Sequence, residues 1–179
     1  MADRPKVSLF CDGSSRPKNP GVGGWGAVLI YGDRIKGMYG TLPHATNNYM
    51  EVYAVLLGLK GLKKPCIVNI YSDSQYAVEG LKAIHYNRLL KTNQDLWREM
   101  RTLAKIHRIA ATHVDGHATT YYNEVAHELA GLGSKQKIGG YFYVHELAET
   151  SAEAQLLKKV ERRIKIRKGR QEASLAGVA

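Results

Sequence analysis

The sequence predicts an α/β fold, an α+β mixed sheet flanked by helices, followed by a basic helical C-terminal extension. Three consecutive β-type runs open the chain, at 6–12, 25–31 and 35–42. Only Gly-Asp-Arg separates the second run from the third, which is typical of a hairpin, so we expect an antiparallel meander. Helices and strands then alternate, which indicates crossover connections onto the same sheet.

The first helix is expected at 46–64. Its apolar residues recur at helical spacing, Thr46 and the two asparagines after it are N-cap types, and Pro65 ends the segment. The run 66–73 is almost continuously apolar, which is typical of a strand buried on both faces. The remaining elements, in chain order, are helices at 74–84 and 93–106, a strand at 108–116 and a helix at 122–137. The Gly- and Pro-rich segment 13–24 is predicted to be a loop.

Positive charge is concentrated near the C-terminus. The net charge is +10 over 179 residues, and residues 158–170 contain eight Lys or Arg and one Glu. We therefore divide the chain into a domain at 1–140 and a basic extension at 141–179, whose Leu156, Val160 and Ile164 fall on one side of a helix. A protein this basic usually has an anionic partner, most often nucleic acid. Alternatively, the charges are only the solvated face of a helix.

Composition excludes several other classes of protein. No run reaches the roughly 18 apolar residues of a membrane helix, and the N-terminus lacks the apolar run of a signal peptide. Cys11 and Cys66 form no CxxC pair, which argues against a zinc knuckle and against a disulfide framework. We therefore expect a cytoplasmic protein without membrane contact, and a monomer.

Three acids stand at the ends or edges of predicted elements. Asp12 ends the first strand, Asp73 ends the fourth, and Glu51 lies early in the first helix. If the first and fourth strands are neighbours with a βαβ connection, Asp12 and Asp73 lie at the same edge of the sheet, and packing of the first helix across them brings Glu51 to the same place. Singly, each has an ordinary structural explanation as a turn, cap or helix N-terminal residue. Together they indicate a bound cation, and oxygen ligands without cysteine favour Mg²⁺ or Mn²⁺.

Five motifs, in this order and spacing, resemble type 1 ribonuclease H. They are "DGSSRPKNPGVGGWGAVL", "TNNYMEVYAVLLGL", "SDSQY", "DLWREM" and "VDGHATTYYNEVAHELA", and the resemblance covers about residues 6–135. It implies a five-stranded mixed sheet flanked by helices. It also implies a two-metal endonuclease that cleaves the RNA strand of an RNA–DNA hybrid, leaving 3′-hydroxyl and 5′-phosphate ends, with the hybrid's phosphate completing the metal coordination.

The resemblance also assigns roles to individual residues. Asp12, Glu51 and Asp73 match the first three metal-binding carboxylates of the family, and His117 matches a loop histidine that helps proton transfer and product departure. Trp97 matches a largely structural aromatic residue. The matches to positions that contact the hybrid's minor-groove edges, sugars or DNA-strand phosphate are Asn19, Thr46, Asn47, Asn48 and Gln75.

The fourth metal-binding carboxylate of the family falls on His127, which is one departure from the pattern. In one interpretation the imidazole ligates the second ion or hydrogen-bonds its water, and because imidazole suits Mn²⁺ better than Mg²⁺, Mn²⁺ would be preferred. Glu124, one turn earlier, would then replace part of the missing charge. In the other interpretation the site is crippled, and the protein is a weak or inactive module that binds hybrid or duplex nucleic acid.

A second departure is that the family's basic protrusion between the middle helices is absent, and only "HYNRLLKTNQ" joins them. We expect the extension to supply basic contacts to the hybrid instead, through Lys158, Lys159, Arg162 and Arg163. The alternative is that the stripe of Leu156, Val160 and Ile164 packs on the domain or on a partner chain and the charges are incidental. A further alternative keeps the fold but changes the reaction, since related folds also serve integrases and other nucleases.

Overall fold

The computed structural model of the protein describes residues 4–115 and 121–176, and side chains as far as Arg170. Strands β1, β2 and β3 come first, followed by alternating helices and strands and a long C-terminal helix. The elements are β1 (Lys6–Arg16), β2 (Gly21–Tyr31), β3 (Arg34–Ala45), α1 (Asn47–Lys60), β4 (Ile67–Ser72), α2 (Gln75–His85), α3 (Gln94–Ile106), β5 (Arg108–His113), α4 (Tyr121–Gln136), β6 (Gly140–Tyr143), a 3-10 turn (Val144–Glu146) and α5 (Ala152–Ala176).

One mixed sheet contains all of these strands, in the order β5-β4-β1-β2-β3-β6. The antiparallel meander of β1, β2 and β3 is confirmed. Strands β1 and β4 are parallel neighbours, paired from Lys6 with Ile67 to Phe10 with Tyr71, and β5 runs parallel to β4. The predicted mixed α/β architecture is therefore confirmed, and the acids of β1 and β4 lie at the same edge.

The resemblance implied five strands, and this number is wrong for the whole chain. The extension begins with β6, which pairs antiparallel with the outer edge of β3 from Lys36 to Tyr39. Phe142 of β6 lies over Gly37, where an added Cβ would be only 2.2 Å from its ring. The absence of a side chain at this position thus leaves room for the phenylalanine, while β6 gives partners to backbone groups on an otherwise open edge.

The segment 13–24 is not the predicted loop. β1 continues to Arg16 and β2 begins at Gly21, so only 17–20 remain as the connection. Gly24, at the end of this segment, serves a packing role instead: an added Cβ there would lie 2.0 Å from the carbonyl oxygen of Ala130 in α4. Because β2 carries no side chains at such points, the backbone of α4 can approach the sheet closely.

Helices cover both faces of the sheet. On one face, α1 and α3 bury Val52, Leu56 and Trp97 against Leu9 and Val68. On the other face, α4 and α5 form a second core around Phe10 and Val28, where Val125 and Leu129 of α4 meet the extension. The layer of α1 and α3 therefore packs on β1 and β4, and the layer of α4 and α5 packs on β1 and β2.

The apolar stripe of the extension packs on the domain. Leu156 and Val160 are buried in this second core, and Ile164 packs against its margin. Of the two expectations for the extension, packing of the apolar stripe on the domain is therefore the one seen in the structure, and α5 is part of the folded core. None of the helices in the described residues is long and apolar enough to cross a membrane.

Candidate metal centre

The backbone of three different elements brings Asp12, Glu51 and Asp73 together. Asp12 is inside β1, opposite Gly26 of β2 and beyond the last residue pair that β1 forms with β4. Its expected position at the end of the strand is therefore wrong, because pairing with β2 continues past it. Asp73 directly follows β4, and Glu51 lies in the second turn of α1.

Close contact between β1 and α1 places Glu51. The backbone N–H of Gly13 donates a hydrogen bond to Glu51 Oε2 at 3.0 Å. An added Cβ at Gly13 would lie 2.2 Å from the backbone nitrogen of Glu51, so glycine is required for this approach. Thr46 caps the helix by accepting from the N–H of Tyr49 at 3.2 Å, which sets where α1 begins.

One carboxylate oxygen from each of the three acids lies within 4.8 Å of the other two. Asp12 and Glu51 are buried. Burial, with the negative charges of Asp12 and Asp73, raises the pKa of Glu51 well above its usual range. Burial and the charge of Asp12 also raise the pKa of Asp73. The cluster is unfavourable when fully ionised, so its hard oxygen donors fit a divalent cation such as Mg²⁺ or Mn²⁺.

His127 contacts this cluster through Asp12. Its Nδ1–H donates to Asp12 Oδ2 at 2.7 Å, and its side chain is 51% exposed. This hydrogen bond raises the imidazole pKa, against the opposing effect of burial. Within the described residues, the group of ligand atoms that lie within 4.8 Å of one another contains the three carboxylates and does not include His127.

Glu124 and Glu128 flank His127 on α4 but are bound by α5. Arg167 donates to Glu124, while Lys159 donates to Glu128 at 2.9 Å and Arg163 also pairs with Glu128. The Glu124 carboxylate is therefore paired with Arg167 of α5 and is not part of the carboxylate cluster. Four cations of the extension were expected to contact nucleic acid. Two of them, Lys159 and Arg163, instead form ion pairs with Glu128 of the domain.

The predicted groove residues line the helix N-termini beside the cluster. Asn19 accepts from the N–H of Asn47 at 2.9 Å, and Asn48 is exposed at the start of α1. Gln75 begins α2, where its amide donates to Glu79 at 2.9 Å. Helix N-termini favour anionic groups, so both ends suit a phosphate backbone. His117 lies outside the described residues, so its predicted position has no counterpart here.

His113 is a neighbour of the cluster to which the sequence analysis assigned no role. Its Nε2–H donates to the carbonyl oxygen of Asp73 at 3.0 Å. The signal that could have identified it is position: His113 ends β5, which runs parallel to β4 and therefore finishes beside Asp73. Trp97 is buried, and its Nε1–H donates to the Tyr76 hydroxyl at 3.3 Å, consistent with a structural role.

Comparison with known proteins identifies a family. The RNase H family model matches residues 4–135. A ribonuclease H from Cupriavidus necator is 43% identical over 138 residues, 72% of this chain and 94% of that protein. One from Legionella pneumophila is 38% identical over 141 residues, 73% of this chain and 98% of that protein.

A solved structure shows the same fold. LC9-RNase H1, a type 1 RNase H with the type 2 active-site motif, has a TM-score of 0.71 to this chain at 21% identity, covering 88% of this chain and 86% of that one. At that identity the likeness concerns the fold alone, and the sequence relatives carry the assignment. The chain belongs to the ribonuclease H family and is a nuclease, a hydrolase.

Proposed function

We propose that the protein is a metal-dependent endoribonuclease that hydrolyses the RNA strand of RNA–DNA hybrids, leaving 3′-hydroxyl and 5′-phosphate ends. The observation that carries this proposal is the convergence of Asp12, Glu51 and Asp73 within 4.8 Å, in a chain of the ribonuclease H family. The acids stand beside the N-termini of α1 and α2, where a phosphate backbone can approach them.

The three carboxylates would hold two divalent ions, Mg²⁺ or Mn²⁺. Such a pair supplies an activated water and charge stabilisation on the leaving 3′-oxygen. Asp12 is the residue best placed to contact both ions, because its strand is central in the sheet. Glu51 would serve the leaving-group side and Asp73 the side of the attacking water. His117, which precedes α4 in the sequence, remains our candidate for proton transfer.

Recognition of the hybrid would use the polar groups along the two helix N-termini. Asn48 and Gln75 carry amides that can donate to and accept from a ribose 2′-hydroxyl, the group that separates RNA from DNA. At the start of α1, Asn19 accepts from the N–H of Asn47 and Thr46 accepts from the N–H of Tyr49, so these polar groups would be suited to sugar and phosphate contacts. The expected substrate is therefore a hybrid rather than a DNA duplex.

The 2.7 Å contact with Asp12 supports a positioning role for His127. By donating to Oδ2, the imidazole would orient the Asp12 carboxylate and reduce the charge of the site compared with a fourth carboxylate. A site with three carboxylates and one imidazole binds Mg²⁺ more weakly and tolerates Mn²⁺ better. We therefore propose activity that is higher with Mn²⁺ than with Mg²⁺.

The test is hydrolysis of an end-labelled hybrid during titration with each metal. We expect cleavage with Mn²⁺, weaker cleavage with Mg²⁺, and intact DNA–DNA and RNA–RNA duplexes. His127→Asp should improve activity with Mg²⁺ by about tenfold by restoring a carboxylate, and His127→Ala should cost less than Asp12→Asn. Equal rates with both metals would contradict the role of the imidazole, and absence of cleavage in every metal would contradict the enzyme.

A second candidate function is a hybrid-binding module with little activity. The observation that favours it is the same contact, since His127 occupies one oxygen of Asp12, the central acid of the cluster. The two candidates differ in one measurement. A binding module retards the labelled hybrid in a gel at the same protein concentration in chelator and in Mn²⁺, and leaves it intact in both.

The outward side of α5 would add electrostatic contacts to the hybrid. Lys159 and Arg163 pair with the half-buried Glu128, whereas Arg162 is exposed and Lys158 has only a 4.0 Å contact with the exposed Glu149, so the contacts would come from Lys158 and Arg162. Removing α5 would expose the second core, so charge neutralisation is the appropriate test. Lys158→Gln with Arg162→Gln should reduce the slope of log affinity against log salt by up to about 2, and Lys82→Gln with Lys135→Gln is the matched control. An equal change in both double variants would rule out the contact.

A further inference from the structure

A cavity of about 530 Å³ lies between the C-terminal ends of α2 and α3 and the first residues of β5. We call it the α2–α3 cavity, and its size is within the range of small-molecule sites. It is separated from the carboxylate cluster by the length of β4 and β5, roughly 16 Å for strands of six residues. The cavity is therefore distinct from the proposed site of hydrolysis.

The charge of the cavity wall is of one sign. Arg101 and Lys105 of α3 and Arg108 of β5 line it, and no residue that lines it in the described part of the chain is acidic. None of the three forms an ion pair within 4.0 Å with an acid of the described residues. Lys105 can be explained by the helix C-terminus, which favours cations, but Arg101 lies one turn earlier and Arg108 belongs to a strand.

Arg101 and Lys105 are also four residues apart on α3, a spacing at which like charges repel. Folding alone gives no reason for this repulsion to be concentrated around an open space. An anion bound between them would remove it, and two guanidinium groups with one ammonium group suit the several oxygens of a phosphate.

His107 provides a second, independent pointer to a ligand. It lines the cavity, is 4% exposed, and its Nδ1 accepts a hydrogen bond from the backbone N–H of Cys66 at 3.2 Å. Accepting at Nδ1 places the ring proton on Nε2, for which the described residues provide no acceptor. Burial, with the charge of Arg4, lowers the imidazole pKa, which keeps the ring neutral. Because His107 lines the cavity, this donor without a protein acceptor is available to an oxygen of a ligand bound there.

We propose that the α2–α3 cavity binds the phosphomonoester of a nucleotide. Arg101, Arg108 and the Nε2–H of His107 would contact the phosphate oxygens, and the apolar side chains of Ile84 and Ile109, which also line the cavity, would contact the planar base. The same chemistry occurs on a free mononucleotide and on the 5′-phosphorylated end of a nucleic acid strand, so the experiment includes both sources.

The test is calorimetric titration of the full chain with adenosine 5′-monophosphate at low ionic strength and in chelator. Without metal the carboxylate cluster repels a phosphate, so binding there is suppressed. We expect saturable binding of the nucleotide and none of adenosine. Arg101→Gln and Arg108→Gln should each weaken binding by about tenfold or more, the effect of one charged hydrogen bond.

Arg98→Gln is the matched control, because Arg98 is exposed on the same helix and does not line the cavity. It should change affinity by less than about twofold, within the scatter of a surface charge. Unchanged circular dichroism would show that all three variants fold. A 5′-phosphorylated oligonucleotide that binds where its dephosphorylated form does not would identify a strand end as the source. No saturable binding of either source, or an equal loss in Arg98→Gln and Arg101→Gln, would overturn the proposal.

Discussion

Glu51 of α1 and Glu124 of α4 are buried to nearly the same degree, with 6% and 7% exposed, yet their surroundings are opposite. Glu51 faces two other carboxylates, and among the described residues no Lys or Arg pairs with any of the three acids within 4.0 Å. The basic side chains beside the cluster are the imidazoles of His127 and His113. Glu124 faces Arg167, and its neighbour Glu128 is held by Lys159 and Arg163. One group of acids lacks compensating charge, and the other is supplied with it by α5.

The presence or absence of paired cations distinguishes a candidate binding site, the cluster that contains Glu51, from a structural contact, the pairing of Glu124 and Glu128 with α5. Ionised acids that face one another raise the free energy of the folded state until a cation binds, whereas paired acids already have their partners. The shifts agree with this division, since the pKa of Glu51 is raised, and that of Glu128 is lowered despite burial because Lys159 and Arg163 outweigh it. The same residue type therefore indicates a metal centre in one region and a helix docking contact in the other.

The largest expected effect is that of Glu51→Gln. If Glu51 binds metal as we propose, its loss should reduce hydrolysis of the hybrid on the order of a thousandfold, since metal stabilisation is worth several kcal/mol. In chelator at neutral pH, however, the variant should be at least as stable as the parent, because glutamine removes a destabilising charge and can still accept from Gly13. Activity assays and urea unfolding measure the two effects.

Glu161→Gln, in the exposed part of α5, is the control for this change and should leave both quantities unaltered. A variant that is both inactive and clearly less stable than the parent would show that Glu51 serves the fold, and the contrast between the two groups of acids would fail.

An intermediate effect is expected from Val160→Ala in α5. Val160 is fully buried in the second core, so the loss of two methyl groups and the space left behind should cost about 2 kcal/mol of unfolding free energy. Ile166→Ala, on the same helix at a position that is 55% exposed, should cost less than about 0.5 kcal/mol. Equal midpoints of urea unfolding for the two variants would mean that α5 does not dock through its apolar stripe.

Much of this architecture could be predicted from the sequence. Alternation of apolar residues indicated β1, β2 and β3, and a short hairpin connection indicated their pairing, because local turn geometry leaves few alternatives. Parallel pairing of β1 and β4 followed from chain order, which brought Asp12 and Asp73 to one edge. The motifs then indicated that Glu51 would join them, although the spacing of α1 alone could not specify its position against Gly13.

What could not be predicted depends on contacts between distant segments. The glycines of 13–24 are typical of a loop, but in the fold Gly13 is a site where α1 approaches β1, and Gly24 is a site where α4 approaches β2. The pattern of α5 identified its apolar side and not the surface that it covers, so the pairing of its cations with Glu124 and Glu128 could not be foreseen. β6 is four residues long, too short for its periodicity to be distinctive.

The smallest expected effect is a pH-dependent contribution of Glu128 to stability. Because its folded pKa is lowered, the contribution is fully present above the ordinary pKa of a glutamate, about 4.3, and is lost as pH falls through the folded value. We expect Glu128→Gln to cost about 1 kcal/mol at pH 7, since the pair is partly exposed, and progressively less as the pH falls below about 4.3 and through the folded value.

Urea unfolding of the parent and of Glu128→Gln across this pH range isolates the contribution of the Glu128 carboxylate to the free energy of unfolding, because all other acids titrate equally in both proteins. Glu153→Gln offers a comparison within α5, since Glu153 accepts from the Tyr39 hydroxyl at 2.9 Å and glutamine can still accept there. A difference between parent and Glu128→Gln that stays constant with pH would mean that the cations of α5 do not stabilise the ionised carboxylate. The docking of α5 would then rest chiefly on its apolar side chains, and Lys159 and Arg163 would be available for another partner.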